Sequence, residues 1–349
     1  MCARSSPMHR ICPPLSFGVT LLCILPPAKS LAADPRERTP GASSLGASVQ
    51  PASRPGRRLL QDEDSAPPAS AAEAEPSPTS PFSFAADYYL YSDYVFRGVN
   101  LSEYEGEGRE KPHHQLSAAV DTDLSLLLHG DEGALGTLSL GTCFYWFAAQ
   151  HELDPENGGQ NLQEIDYDLS WAYELETLSS TLTLGYAFYT IPNGKAYNTG
   201  EWSIRVDHVD AWMWHWLWPD NEEGVLNPFV AYSHDVQAAA GGSWIDAGVS
   251  HDFAVLENLT LTPSITVGVD HRYLDRVLGT GRAGATRLAT IEYGLNLAYD
   301  LSGALELPDD VGSFVLTWFL YFSDAVGNAE DNRTIQDEFY GGMSVGWSF

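Results

Sequence analysis

The sequence predicts an all-β fold: one antiparallel sheet closed into a transmembrane β-barrel of about twelve strands, preceded by a signal peptide and a disordered Ala/Pro-rich tether. Three observations lead there. Apolar and polar residues alternate with period two over most of Phe82 to Phe349, the spacing of a strand whose two faces meet two environments. Many of these runs exceed the roughly five or six residues usual in soluble sheets and are long enough to cross a bilayer at a tilt. They follow an export-type start, and in lipid only a closed barrel leaves no strand edge unpaired.

Residues 1–32 have the organisation of a signal peptide. Arg4, His9 and Arg10 give a basic start, an apolar run follows from Leu15 to Leu25, and Ser30, Ala32 and Ala33 supply small residues for cleavage. The apolar run is too short for a membrane-spanning helix. Of the 4 cysteines, Cys2, Cys12 and Cys23 leave with this segment. Cys143 is then the single thiol of the mature chain, which excludes an internal disulfide and any metal site built on cysteine spacing. Residues 33–81, with stretches such as APPASAAEAEPSPTSP, hold too little apolar content for a core and are expected to be a flexible linker.

The barrel is expected over 82–349. Its first strand is predicted from Phe82 to Phe96, with Phe82, Phe84, Tyr88, Leu90, Tyr94 and Phe96 on one face. Ser83, Asp87, Tyr89 and Asp93 fall on the other, with Arg97 one step beyond. The alternation recurs over Leu116–Leu128, Ile165–Leu175, Leu259–Asp270 and Ile291–Asp300. Less regular strands are predicted at roughly 134–148, 180–190, 201–218, 227–236, 243–253, 312–323 and 338–349.

Connections alternate in length. HGDEG and ETLSS are short, whereas EYEGEGREKPHH, QHELDPENGGQN, TIPNGKAYNTG, HRYLDRVLGTGRAGAT and DAVGNAEDNRT are long. Short turns on one rim and long loops on the other are the pattern of outer-membrane barrels, with the first strand starting on the periplasmic side. WPDNEEGVLN and DLSGALELPDDVG are longer than this pattern wants, and AAAGGS is shorter. Trp212, Trp214, Trp216 and Trp218 stand at every second position beside a turn and predict an interfacial aromatic girdle on one strand face. The chain ends GMSVGWSF, with Val345, Trp347 and Phe349 on one face, as expected of a final strand read by the barrel-assembly machinery.

The chain carries 18 Lys+Arg against 47 Asp+Glu, a formal charge of -29, which excludes a nucleic-acid partner because phosphate binding needs a basic surface. Many of the acids fall on the inward parity: Asp87, Asp93, Asp121, Asp123, Glu164, Asp166, Asp168, Glu174, Asp246, Asp270 and Glu292, with Arg97 and Arg205 as inward bases. A water-filled path lined with carboxylates attracts cations and repels anions. The function this predicts is passive diffusion of small polar solutes, with a preference for cations. Outer-membrane lipids, the assembly machinery and small solutes or cations are the expected partners. The competing readings are a non-conducting structural or adhesive barrel and a soluble secreted β-sandwich that binds ligands.

No enzyme chemistry and no cofactor are expected. Ser233–His234 and Ser250–His251 are sequence neighbours, which on a strand point to opposite faces, so neither pair forms a nucleophile–base dyad. His113–His114 in the first long connection and the acidic stretches around Glu152–Asp154–Glu156 and Glu330–Asp331 are the only metal candidates, and no EF-hand or zinc spacing accompanies them.

Ser92, Asp93, Tyr94, Phe96, Arg97 and Gly98, within SDYVFRGVNLSE, match a pattern S-D-Y-x-F-R-G. With the amphipathic strands and terminal aromatic that follow, the chain resembles the TorF-type (Gcw_chp-type) family of bacterial porins. The resemblance implies a signal peptide followed by an outer-membrane channel, with the motif in its first strand, and implies little about the solute.

Overall fold

The computed structural model of the chain describes residues 80–100, 112–129, 135–147, 162–190, 198–218, 224–237, 241–274, 286–326 and 335–349. The signal-peptide assignment, nearly all of the linker assignment and the acidic metal candidates in the long loops lie outside these residues.

Twelve wall strands close into one antiparallel barrel. In chain order they begin with β1 (Phe82–Tyr91), which is followed by a small inward hairpin, β2 (Val95–Phe96) and β3 (Val99–Asn100). The wall resumes with β4 (His113–Asp123), β5 (Thr137–Phe147), β6 (Leu162–Leu175) and β7 (Ser180–Thr190). It continues with β8 (Thr199–His208), β9 (Phe229–Asp235) and β10 (Ser243–Ser250). β11 (Phe253–Leu256) resumes the line of β10 after a break, and both pair with β12 (Leu259–His271), so the two count as one wall strand. The last strands are β13 (Thr286–Asp300), β14 (Ser313–Ala325) and β15 (Glu338–Ser348).

Each wall strand pairs with its sequence neighbours, and β15 returns to pair with β1, Ala85 opposite Ser348 and Tyr91 opposite Gly342. Phe349 completes this seam through two backbone bonds to Phe84, N–H to O at 2.7 and 2.8 Å. Except along β11, which pairs with β12 alone, the described wall strands are paired on both sides, which removes the unpaired backbone groups that lipid does not tolerate. The single closed sheet replaces the two-layer sandwich of the soluble alternative.

Burial is inverted relative to a soluble protein. Leu140, Leu169, Trp202, Ile204, Val230, Leu295, Leu320 and Val345 are exposed on the outer face, while Glu164, Asp166, Glu201, Asp235 and Asp270 are buried inside. This distribution belongs to a barrel whose outer solvent is hydrocarbon. It follows from the pleat, because an apolar residue at every second position puts the whole apolar set on one face.

Three predicted elements end early. The first strand stops at Tyr91 instead of Phe96, because Ser92 turns the chain inward, its N–H donating to Gly341 O at 2.8 Å. The Leu116–Leu128 strand ends at Asp123, where α1 (Leu124–His129) starts; the Asp123 carboxylate accepts the Leu126 N–H at 2.9 Å and caps the turn. The 201–218 strand ends at His208, and α2 (Ala211–Trp214) follows. A further helix, α3 (Leu301–Leu305), shapes the β13–β14 connection, with Asp300 accepting the Gly303 N–H at 3.0 Å.

Candidate functional site: a hairpin inside the bore

Residues 92–100, SDYVFRGVN, fold into the bore. Val95 pairs with Asn100 and Phe96 with Val99, leaving a two-residue turn at Arg97 and Gly98 with φ of 50° and 77°. Two left-handed residues in succession suit the turn whose twist matches a tight hairpin, and glycine takes the second position without steric cost. The hairpin is its own two-stranded sheet, not part of the wall ladder.

It touches the wall on many sides. The Tyr94 ring stacks on Tyr145 of β5, centroids 5.0 Å apart, and its hydroxyl donates to Glu164 of β6 at 3.4 Å. Arg97 reaches β8, donating from Nη1 and Nη2 to the two carboxylate oxygens of Glu201, each at 3.0 Å. The guanidinium also lies 5.4 Å from the Trp244 ring of β10 and 4.1 Å from the Tyr273 ring just beyond β12. Asn100 Nδ2 donates to Glu338 of β15 at 3.3 Å and to Asp93 at 3.4 Å. A Cβ added to Gly98 would collide with Thr290 Cγ2 of β13 and lie 2.8 Å from Ile335 Cγ2. A segment that meets strands from opposite arcs of one wall occupies the axis of the bore.

Asp93 and Arg97 are therefore buried, at 3% and 8% exposure, but not on the first strand as the alternation predicts. The run of alternating residues continues past Tyr91 because the hairpin is itself extended, so period alone does not reveal where the chain leaves the wall.

The other inward candidates divide by level. Near the hairpin, Glu164 and Asp166 are buried, and Asp270 is fully buried, accepting the Tyr273 and Leu274 N–H groups at 2.7 and 3.2 Å and pairing with Arg287 at 2.9 Å. Asp246 accepts the Trp244 indole N–H at 2.7 Å, and Glu292 accepts the Tyr340 hydroxyl at 2.6 Å. Asp87, Asp121 and Asp168 are partly exposed, and Asp123 is used by the α1 cap. Arg205 folds onto Asp207 of its own strand, 2.6 Å at the closest, and over the Phe229 ring at 4.0 Å.

The predicted tryptophan girdle is corrected. Trp212, Trp214, Trp216 and Trp218 occupy α2 and the turn after it, not one strand face. Asp210 is the cause. Its carboxylate accepts the Trp214 indole N–H at 2.7 Å and the backbone N–H groups of Val225 (2.7 Å), Leu226 and Asn227, which winds the connector into a helical turn. Trp212, Trp216 and Trp218 remain exposed at the short-turn end. Val345 and Phe349 are exposed, and the Trp347 indole donates to Val311 O at 2.9 Å.

Glu201, Trp244 and Tyr273 carry no sequence signal that singles them out, and Tyr94, expected on the apolar face of the first strand, is buried in the bore against Tyr145. Glu201 opens the predicted 201–218 strand on the parity of Arg205, and the observed strand starts two residues earlier, at Thr199. His113 and His114 open β4 instead of lying in the loop, one facing inward and the other outward, so they do not chelate together. Among the described residues no three His, Cys, Asp or Glu side chains are grouped to hold a metal ion, and no helix is long and apolar enough to cross a membrane.

The fold and site together define a closed barrel with a lipid-compatible exterior and an occupied bore. Among solved structures the chain is similar to the COG4313 outer-membrane channel from Pseudomonas putida F1, at 9% identity over 81% of this chain and 100% of that one, TM-score 0.43. It is also similar to the NanC porin, at 10% identity over 76% and 98%, TM-score 0.38. The translocator domain of the autotransporter NalP from Neisseria meningitidis matches at 9% identity over 79% and 90%, TM-score 0.35. No family model and no curated protein matches the sequence.

Proposed function

We propose that the chain is exported by its signal peptide, inserted by the assembly machinery acting on Val345, Trp347 and Phe349, and works in a bacterial outer membrane. There it is a restricted, cation-preferring channel for small polar solutes. The observation that carries this reading is the distribution of polarity: an apolar outside, and an inside whose carboxylates outnumber its bases. Carboxylates inside a low-dielectric wall concentrate cations from the adjoining solution. The hairpin on the axis sets the narrowest cross-section, so conduction depends on the gap it leaves or on its withdrawal.

The tight packing of Tyr94, Phe96, Arg97 and Val99 is what favours the competing reading, a barrel held permanently shut. Planar-bilayer recording of the refolded full-length chain separates the two. A salt gradient should give a reversal potential of the sign expected for cation flow. A folded, detergent-extracted barrel that conducts nothing sinks the channel reading.

A further inference from the structure

We propose that the wall around Arg97 is a receptor for a guanidinium group or a similarly flat organic cation, and that the hairpin keeps it occupied with a built-in copy of that ligand. Its consequence for transport rests on the channel reading above; the binding itself does not.

Arg97 is seated as a ligand would be. Its two terminal nitrogens meet both oxygens of Glu201 at 3.0 Å, the fork-to-fork geometry that distinguishes guanidinium from ammonium. Tyr273 and Trp244 present ring faces to the same cation at 4.1 and 5.4 Å, and Phe96 of the hairpin adds a third at 4.7 Å. A carboxylate fork combined with aromatic faces is the chemistry of an organic-cation site.

Besides their contacts with the hairpin, among them the Phe96 ring edge-on to Tyr273, the receptor residues have anchors in the wall. Trp244 is oriented by its indole bond to Asp246 at 2.7 Å. Tyr273 is fixed by Asp270, which accepts its backbone N–H at 2.7 Å and is itself held by Arg287. Glu201 belongs to β8 and lies opposite Asp235 of β9 and Ala187 of β7 in continuous ladders. If the hairpin leaves, a preformed pocket with Glu201, Asp246 and two aromatic faces remains.

The hairpin shares no backbone ladder with the wall. Its own ladder has only two residue pairs, and its base is tied to the wall at Ser92, whose hydroxyl accepts the Gly341 N–H at 3.0 Å. A solute that carries a guanidinium competes with Arg97 for Glu201. Because the internal ligand is tethered at an effective concentration on the order of millimolar or higher, displacement by a free solute is expected in that range.

The test uses the full-length chain folded in detergent, with folding checked by heat-modifiable gel mobility. Calorimetry compares methylguanidinium, methylammonium and urea on the wild type and on Arg97→Ala. The vacated site should bind methylguanidinium at least about tenfold more tightly than methylammonium, which lacks the fork, or urea, which lacks the charge. Wild type should bind it more weakly than Arg97→Ala, and adding Glu201→Gln should abolish binding. If Arg97→Ala does not fold, Arg97→Lys keeps a charged but poorer internal ligand and should bind methylguanidinium better than wild type. Absence of binding to a folded Arg97 variant overturns the proposal, as does binding that survives Glu201→Gln. Binding without any bilayer conductance leaves the receptor standing and removes the channel; conductance without binding does the reverse.

Discussion

The two ends of the bore are built differently from the same kind of strand. Toward the long connections, inward side chains are large or charged and buried: Gln115, Tyr145, Glu164, Asp166, Tyr189, Glu201, Trp244 and Asp270. Toward the short turns, inward positions hold Ala119, Asp121, Ser170, Thr183, Ser203, Ser264 and Thr317, none of them fully buried. Strand pleat fixes only which way a side chain points. Burial is decided by what stands on the axis, and the hairpin stands at one end alone. The closed end is therefore a packing problem with desolvated charges, and the open end is lined by small, partly exposed side chains with Asp121 among them.

The largest expected effect comes from breaking the closed end. Glu201→Gln leaves the Arg97 guanidinium buried without its carboxylate, and losing one partner of a buried pair costs about 3–5 kcal/mol. The hairpin should lose its seat while the wall ladders persist. Raised single-channel conductance, with unchanged heat-modifiable mobility, is the expected result. An unchanged conductance would mean that the hairpin does not restrict the path. Gly98→Ala should act in the same direction but less strongly. It adds a side chain at a φ of 77°, for about 1–2 kcal/mol, and a Cβ that meets Thr290 and Ile335, for about 1–3 kcal/mol.

The comparison also shows what the sequence makes legible. The outer shell is readable because period-two patterning over β6, β12 and β13 leaves no other placement for Tyr167, Leu169, Ile265 and Leu295. The strand count follows from the number of alternating runs, and closure from the cost of unpaired strand edges in lipid. The hairpin is not readable, because Tyr94 and Phe96 keep the parity of a strand although their ring partners, Tyr145 and Tyr273, are groups far away in the chain. Glu201 is invisible as a partner for the same reason: the two residues are 104 positions apart. The α2 connector was obscured by a numerical coincidence. Tryptophans at every second position suit a strand, yet Trp214 and Trp218 also fall one helical turn apart, with ring centroids 6.2 Å from one another.

At the open end the effects are electrostatic and smaller. Asp121→Asn removes a partly exposed inward carboxylate and should move the reversal potential toward zero without altering folding. Asp123→Asn should change selectivity less, because that side chain is committed to the α1 cap. Equal shifts from both would show that the cap does not withdraw Asp123 from the path, and no shift from Asp121→Asn would remove this residue from it.

The mildest test concerns Asp210, one of the few fully buried groups at the short-turn end. Burial alone raises a carboxyl's pKa, but hydrogen bonds from Trp214 and from the Val225, Asn227 and Leu226 backbone outweigh it and hold the group below the ordinary aspartate value. A carboxylate with a depressed folded pKa contributes stability above the unfolded value of about 3.9, and that contribution is lost as pH falls through the folded value. The α2 connector should therefore stay closed through neutral and mildly acidic solution and loosen only below about pH 4. Amide exchange at Val225, Leu226 and Asn227, which donate to this one side chain, reports it directly. In Asp210→Asn the acid step should vanish, and exchange should already be faster at neutral pH, because charge-assisted bonds worth about 1.5–3 kcal/mol become neutral ones worth about 1. The closed end should not respond to this substitution, since the hairpin's contacts share no residue with Asp210. If it does respond, the two ends are coupled through β8, the strand that carries Glu201 and leads directly to Asp210.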